Sequence, residues 1–222
     1  MKYFIKIFAL LILITLVSCN TNKPKILIIG DSISLGYTPY VKRQLSGLYR
    51  VYRISENAMH TRKGLENINR WLAEEDWALI HFNWGLWDMC YRTTVGSNKY
   101  VKDKLNGKQD IPVEEYKKNL ETLVSILKST KSKLVFVTST YVPKDEPGIF
   151  SEDVLRYNEA AKEIMNMHSI PVNDIYSESK EIHQRNGGGS DNAHFTQKGY
   201  KALADLIADF IKEQMSNTIT KK

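Results

Sequence analysis

Short strand-like segments alternate with longer amphipathic segments along most of this chain, and this alternation restricts the fold more than any other feature. The strand-like segments are KILIIG (25–30), YRVYRI (49–54), WALIHFN (77–83), KLVFVTST (133–140) and IPVND (170–174). Apolar strands separated by helices are typical of a parallel sheet that is covered on both faces. We therefore predict a five-stranded parallel sheet in a three-layer α/β/α sandwich.

The intervening segments have apolar residues at helical spacing. They are YTPYVKRQLSGL (37–48), KGLENINRWLAEE (63–75), VEEYKKNLETLVSILKST (113–130), EDVLRYNEAAKEIMNMH (152–168) and QKGYKALADLIADFIKEQM (197–215). Ser151 precedes the fourth of these helices, and we expect it to be the N-cap. With 222 residues, of which 42% are hydrophobic, the chain is long enough for one well-buried domain.

One long stretch, from Trp84 to Ile111, matches neither pattern and exceeds the usual length of a connection. It is either a functional loop or a mobile insertion. It contains Trp84, Trp87, Tyr91 and Tyr100, and Trp84 and Trp87 are candidate substrate-loop residues. Aromatic rings in such a loop stack on sugars in some proteins, but such rings also pack into cores, so both alternatives stay open.

The first eighteen residues have lysines at positions 2 and 6 followed by an apolar run that is short for a membrane span, so we expect a signal peptide over 1–18. The segment LVSC (16–19) resembles the bacterial lipobox, which implies that Cys19 is acylated and anchors the protein in the cell envelope. The alternative is an ordinary signal peptide. Residues 19–24 would then be a short tether, 25–215 the domain and 216–222 a C-terminal tail.

The formal charge is +6, with basic and acidic residues interleaved along the chain, so no stripe that would bind nucleic acid is visible. The chain has two cysteines, and a lipidated Cys19 leaves Cys90 without a disulfide partner. We expect Cys90 to be a buried, inert thiol. The histidines at 60, 81, 168 and 183 lack metal-ligand spacing, so we expect no metal and no cofactor.

Polar clusters follow three of the predicted strands, where ligands of parallel sheets bind. They are GDSIS (30–34), NWGLWD (83–88) and DNAH (191–194). Ser32 alone is compatible with a helix cap, but DNAH places Asp191 three residues before His194, close enough to orient the ring. A serine hydroxyl needs such a base to attack a carbonyl carbon. Donors for the developing oxyanion are the Ser32 N–H and the Asn83 side chain.

These motifs together resemble the SGNH (GDSL-type) hydrolase family over nearly all of residues 25–215. The resemblance implies a flavodoxin-like sandwich in which Ser32 is the nucleophile, His194 the general base and Asp191 its orienting partner. The family's third block usually reads G-x-N-D. Alignment on asparagine selects Asn83, whereas alignment on Gly85 and Asp88 puts Trp87 at that position. In the second block, Asn57 and Gly64 are the candidate donors.

The expected activity is hydrolysis of carboxylic esters through an acyl-serine intermediate, with small acyl groups, such as acetyl, on carbohydrate as the preferred substrate. Two alternatives stay open. One is a lysophospholipase or thioesterase that acts on longer chains close to the membrane. The other is a glycan-binding lipoprotein of the envelope that has kept the fold without catalysis.

Overall fold

The structure of the protein, a computed structural model, describes residues 23–73, 76–95 and 99–219. Five parallel strands form the main sheet: β1 (Lys25–Ile29), β2 (Arg50–Arg53), β3 (Leu79–Phe82), β7 (Lys133–Val137) and β8 (Val172–Asn173). Their order across the sheet is β2-β1-β3-β7-β8. The predicted α/β fold with a five-stranded parallel sheet is therefore confirmed.

The helices fall into two groups by packing. Their bounds are α1 (Ser32–Leu45), α2 (Thr61–Leu72), α3 (Val113–Ser129), α4 (Ser151–Met167), α5 (Tyr176–Asn186) and α6 (Gln197–Ile219). Helix α6 packs against α1 and α5, whereas α3 packs against α2 and α4. No helix in the described part of the chain has a long enough apolar stretch to cross a membrane.

The strand register places the carboxyl ends of the three central strands level with one another. Ile29 pairs with Phe82, and Phe82 pairs with Phe136 on the next strand. These strands are buried, which explains why they read as continuous apolar runs rather than as alternating ones. The segments that follow β1 and β3 consequently meet at one edge of the sheet, where the polar clusters were expected.

Helices α1 and α6 approach each other closely at a glycine. A Cβ atom at Gly36 would lie 2.1 Å from the Tyr200 ring, so only glycine fits the contact. This packing brings the first helix of the domain beside the last one.

The stretch from 84 to 111 is not irregular throughout, because much of it forms a second, antiparallel sheet. Its strands are β4 (Tyr91–Val95), β5 (Lys99–Lys102) and β6 (Lys108–Gln109), in the order β5-β4-β6. The sheet is tied to the main domain by backbone hydrogen bonds, including Tyr91 N–H to Gly148 O at 2.7 Å and Lys104 N–H to Pro147 O at 2.8 Å. The insertion is a folded element that borders the candidate site.

Several predicted helix boundaries differ from the structure. Helix α1 begins at Ser32 rather than at residue 37, and α6 continues to Ile219. The prediction that Ser151 is an N-cap is wrong, because Phe150 occupies that position and Ser151 Oγ donates to Val142 O at 3.0 Å. Helix α5 was not predicted. The expected signal peptide and Cys19 lie outside the described residues, which start at 23.

Candidate active site

The turn between β1 and α1 leaves the Ser32 hydroxyl available for chemistry. Asp31 is the N-cap of α1, and its Oδ1 accepts the N–H of Ile33 at 2.9 Å. Ser32 is the first residue of the helix, so its own backbone N–H has no acceptor within the helix. The capping role considered for Ser32 therefore belongs to its neighbour.

The structure brings Ser32 and His194 together, as the sequence predicted. The distance from Ser32 Oγ to His194 Nε2 is 2.8 Å, a normal hydrogen bond across 162 positions of the chain. A nucleophile and a base at hydrogen-bonding distance are the geometric signature of an activated serine.

The orienting partner of His194 is Asn192, and the assignment of this position to Asp191 is not supported. Asn192 Oδ1 lies 2.9 Å from His194 Nδ1 and also accepts the backbone N–H of His194 at 3.0 Å. Because that second bond turns the amide oxygen toward the ring, Nδ1 must carry the proton, and Nε2 is free to accept from Ser32. Asp191 is exposed. Its carboxylate makes no hydrogen bond with His194 among the described residues.

Hydrogen bonds hold the loop before His194 in place. His183 Nε2 on α5 donates to the Asn192 carbonyl at 2.7 Å, and Gly188 N–H donates to the His194 carbonyl at 2.8 Å. A Cβ atom at Gly188 would lie 2.9 Å from the Asn192 side chain, so a larger residue there would displace Asn192. Helix α5, which the sequence did not reveal, therefore positions the base.

Arg53, the last residue of β2, stabilises the turn that presents Ser32 through hydrogen bonds. Its guanidinium donates to the carbonyls of Gly30 at 2.9 Å and Asp31 at 3.0 Å, and to Ser34 Oγ at 3.0 Å. It also donates to the carbonyls of Ile54 and Glu56. The donors of this planar group have a fixed geometry, and they link the turn after β1 to the loop after β2. Nothing in the sequence distinguished Arg53 from the other basic residues.

Burial sets the protonation of the groups around Ser32. It lowers the pKa of His194 from its usual 6.5, and the negative charge of Asp31 opposes this shift. Burial also raises the pKa of Asp31. The imidazole is thus neutral and ready to accept a proton at neutral pH. Cys90 lies in the same cleft, but burial raises the pKa of its thiol to about 11, which agrees with the expected inert thiol.

Ser32 and His194 line a cleft of about 130 Å³. Its other walls come from the turn after β3, the antiparallel sheet and the loop before α4: Asp31, Ile33, Leu86, Trp87, Cys90, Arg92, Lys102, Ile149 and Ala193. The described residues contain no group of three or more His, Cys, Asp or Glu side chains that could share a metal ion.

The two tryptophans proposed as substrate-loop residues have different positions. Trp87 lines the cleft, as expected. Trp84 is buried and packs against Gly64 and Phe82 in the core, so its assignment to the substrate loop is wrong. The core alternative considered for the aromatic residues therefore holds for Trp84.

Asn83 is placed less favourably for an oxyanion donor than the alignment suggests. Its Nδ2 donates to the Val137 carbonyl at 2.8 Å, and its side chain lines a neighbouring cavity of about 10 Å³, which holds at most one water molecule. This placement favours a structural amide at the strand end. Gly64 is excluded because its N–H donates to the His60 carbonyl within α2. Asn57 does not line the cleft, and its Oδ1 accepts the N–H of Met59.

The turn after β3 is the remaining source of a second donor. Gly85 has a φ of +156°, and its carbonyl accepts the N–H of Met89 at 2.9 Å. Leu86 and Trp87 lie between them on the wall of the cleft. Within the described part of the chain their N–H groups make no hydrogen bond. Together with the Ser32 N–H, they are candidate backbone donors for an oxyanion.

Comparison with known proteins agrees with this geometry. The family model described as GDSL-like lipase/acylhydrolase matches residues 26–207. The chain belongs to this family. The GDSL family assignment, with a serine and a histidine in contact at the sheet edge, identifies the protein as an ester hydrolase.

The relatives are distant in sequence but similar in fold. A GDSL esterase/lipase of Arabidopsis thaliana is 23% identical, and the match covers 86% of each chain. A lipase/acylhydrolase from Enterococcus faecalis has a TM-score of 0.68 at 24% identity and covers 86% of this chain and 97% of its own. An acetyl xylan esterase also has a TM-score of 0.68, at 12% identity, with coverage of 84% and 99%. At these identities the structural matches show the fold of the GDSL domain and not its substrate.

Proposed function

We propose that this GDSL hydrolase removes small acyl groups, such as acetyl, from carbohydrate through an acyl-serine intermediate. The observation that carries the proposal is the hydrogen-bonded series Ser32–His194–Asn192 at the wall of a small cleft. His194 Nε2 takes the proton as Ser32 Oγ attacks the ester carbonyl carbon. The same nitrogen then returns the proton to the departing alcohol, and a water molecule repeats the sequence to release the acid.

The size of the cleft supports a small acyl group. A volume of about 130 Å³ is close to that of engineered cavities that hold one benzene molecule, so it accommodates an acetyl group with room for few further atoms. A long acyl chain would need a larger apolar channel. Ile33, Leu86 and Ile149 supply only a short apolar wall.

The surroundings of the cleft support a hydrophilic alcohol component. Arg92 lines both the cleft and a polar groove of about 500 Å³. The groove is also lined by Thr93, Thr94, Asn106, Gln109 and Asp110. Such hydroxyl, amide and charged groups suit a sugar better than an alkyl chain.

The test compares acyl length and labels the nucleophile. We expect the purified domain to hydrolyse p-nitrophenyl acetate with a higher kcat/KM than the octanoate ester, and to react with an active-site fluorophosphonate. Ser32→Ala should abolish both signals while leaving the thermal unfolding temperature nearly unchanged. A strong preference for octanoate would instead support the lysophospholipase or thioesterase alternative.

The non-catalytic alternative makes a different prediction in the same assay. A glycan-binding protein without activity would show no labelling, and it would bind acylated glycan equally well before and after Ser32→Ala. A protein with intact circular dichroism that neither labels nor turns over any ester would overturn the esterase proposal.

We also propose, from the sequence of the first 24 residues, that the protein is a lipoprotein of the bacterial cell envelope, anchored in the membrane through Cys19 and acting on its substrate there. Expression of the full chain with Cys19→Ala tests the anchor. We expect wild-type protein to partition into the detergent phase and the variant into the aqueous phase. Aqueous partitioning of both would contradict lipidation.

A further inference from the structure

Arg92 occupies an unusual position beside the nucleophile. It extends from β4 of the antiparallel sheet into the cleft that contains Ser32, and its side chain is only 11% exposed. Its guanidinium carbon lies 4.5 Å from the centre of the Trp87 ring, which holds the group in a cation–π contact. The guanidinium therefore has a fixed position at the point where the cleft and the polar groove meet.

The hydrogen-bonding capacity of Arg92 is largely unused. Its contact with Asp110 runs from Nε to Oδ2 at 3.3 Å, yet Nε has no aligned hydrogen-bond acceptor among the described residues and is fully buried. A guanidinium has five N–H donors, and a buried donor without an acceptor, such as the one on Nε, is unfavourable. A carboxylate or phosphate group offers two oxygens at the spacing that a guanidinium binds in a bidentate manner.

Several other charged groups lie around Arg92. Four basic residues line the cleft and the groove, namely Arg62, Arg92, Lys102 and Lys108, against the two acidic residues Asp31 and Asp110. Arg62 and Lys102 already form ion pairs with Glu115 and with the fully buried Glu146. Arg92 lines the same cleft as Ser32, and apart from the contact with Asp110 no ion pair or hydrogen bond holds its guanidinium in the described part of the chain.

We propose that the alcohol component of the substrate is an acidic sugar, whose carboxylate or phosphate group binds to Arg92 while the acyl group lies beside Ser32. This inference rests on the proposed function and narrows its substrate class. A neutral acylated sugar would leave the Arg92 donors facing the substrate without a charged partner. An acidic one would supply acceptors to the guanidinium in the cleft that also contains Ser32.

The test uses matched acetyl esters that differ only in the group at C6, which is neutral in one and acidic in two: mono-acetylated methyl glucoside, the corresponding methyl glucuronoside, and the glucoside 6-phosphate. We expect wild-type kcat/KM to be about 10- to 100-fold higher for at least one acidic ester than for the neutral one, the range expected for a hydrogen-bonded charge pair. The preference should shrink as salt is added. The two acidic esters distinguish a carboxylate site from a phosphate site.

Variants assign the preference to Arg92. Arg92→Gln should reduce the ratio of acidic to neutral kcat/KM to about one. Arg92→Lys should give an intermediate ratio, because lysine keeps the positive charge but lacks the planar group that binds two oxygens at once. Arg43→Gln is the matched control, because Arg43 lies over an aromatic ring near the far end of α1, about 16 Å along the helix from Ser32. It should keep the wild-type ratio.

A second measurement needs no variant and covers the case in which Arg92→Gln does not fold. Methyl glucuronoside or glucose 6-phosphate should inhibit wild-type hydrolysis of p-nitrophenyl acetate more strongly than methyl glucoside. Equal turnover of the three esters and equal inhibition, by an enzyme that still hydrolyses p-nitrophenyl acetate, would overturn the inference and leave the proposed function standing. Absence of all turnover and of fluorophosphonate labelling would instead remove the proposed function.

Discussion

The assignment of Asn192 rather than Asp191 as the partner of His194 leads to a sharp prediction. The two residues are adjacent, so replacing each in turn changes the same loop. Asn192→Ala removes the acceptor that lies 2.9 Å from Nδ1, whereas Asp191→Ala removes an exposed carboxylate that makes no hydrogen bond with the ring in the described structure. Only the first change should impair the base.

The magnitude follows from the bond that is lost. Leaving a half-buried donor without its acceptor costs about 1–3 kcal/mol, which corresponds to a roughly 5- to 150-fold decrease in kcat/KM if the base is misoriented in the transition state. An exposed charge contributes about 0–1 kcal/mol, so Asp191→Ala should change kcat/KM by about fivefold or less.

The conservative variant Asn192→Asp separates orientation from folding. It keeps an oxygen at the same place and should therefore retain activity. Its negative charge favours the protonated imidazole, so the acid limb of the pH–rate profile should move to higher pH. The assay is p-nitrophenyl acetate hydrolysis, with active sites counted by fluorophosphonate and folding checked by thermal unfolding. A large loss in Asp191→Ala with near-normal Asn192→Ala would refute the reasoning.

Three further predictions concern the site and its support. Because burial lowers the pKa of His194 below 6.5, the acid limb of kcat/KM should lie below that pH; a midpoint above 6.5 would contradict the burial argument. Burial raises the pKa of Asp88 to about 7, so the contribution of this carboxyl group to stability should fall as pH rises from about 4 to 7. In urea titrations at about pH 8, the free energy of unfolding of Asp88→Asn should exceed that of wild type by up to roughly 4 kcal/mol. The same difference at about pH 4 would refute this. Arg53→Gln loses most of the five hydrogen bonds behind Ser32 and should lower kcat/KM about tenfold or more; unchanged kinetics would show that the turn holds its shape without the guanidinium.

Much of the sheet and both ends of the site could be predicted from the sequence. Buried parallel strands read as apolar runs, and each of the five predicted segments contains a strand of the main sheet. The motifs that contain Ser32 and His194 are local, because each side chain is presented by a short turn whose residues are adjacent in the chain. The contact between them followed from the topology of a parallel sheet.

The residues that the sequence did not reveal depend on contacts between distant segments. The buried residues of helix α5 are Ser179 and His183, which are both polar. The helix therefore has little apolar periodicity to detect. Trp84 and Trp87 are three positions apart with the same chemistry. Trp84 is in the core because Gly64 on α2 leaves room for its ring, and no local pattern records that complementarity.

The choice between Asp191 and Asn192 shows why a motif identifies the general base more reliably than the residue that orients it. Both residues have acceptor oxygens within reach of His194, and only the loop conformation decides which one contacts Nδ1. In this structure the neutral Asn192 orients the ring, while the negative charge that favours its protonation comes from Asp31, on the nucleophile's side. Orientation and charge stabilisation, which a single carboxylate supplies in a Ser-His-Asp triad, are therefore divided between two residues that lie 161 positions apart in the chain. Asp31 also caps α1, so the residue that positions the nucleophile turn opposes the pKa shift of the base, but burial raises its own pKa and outweighs its effect on His194.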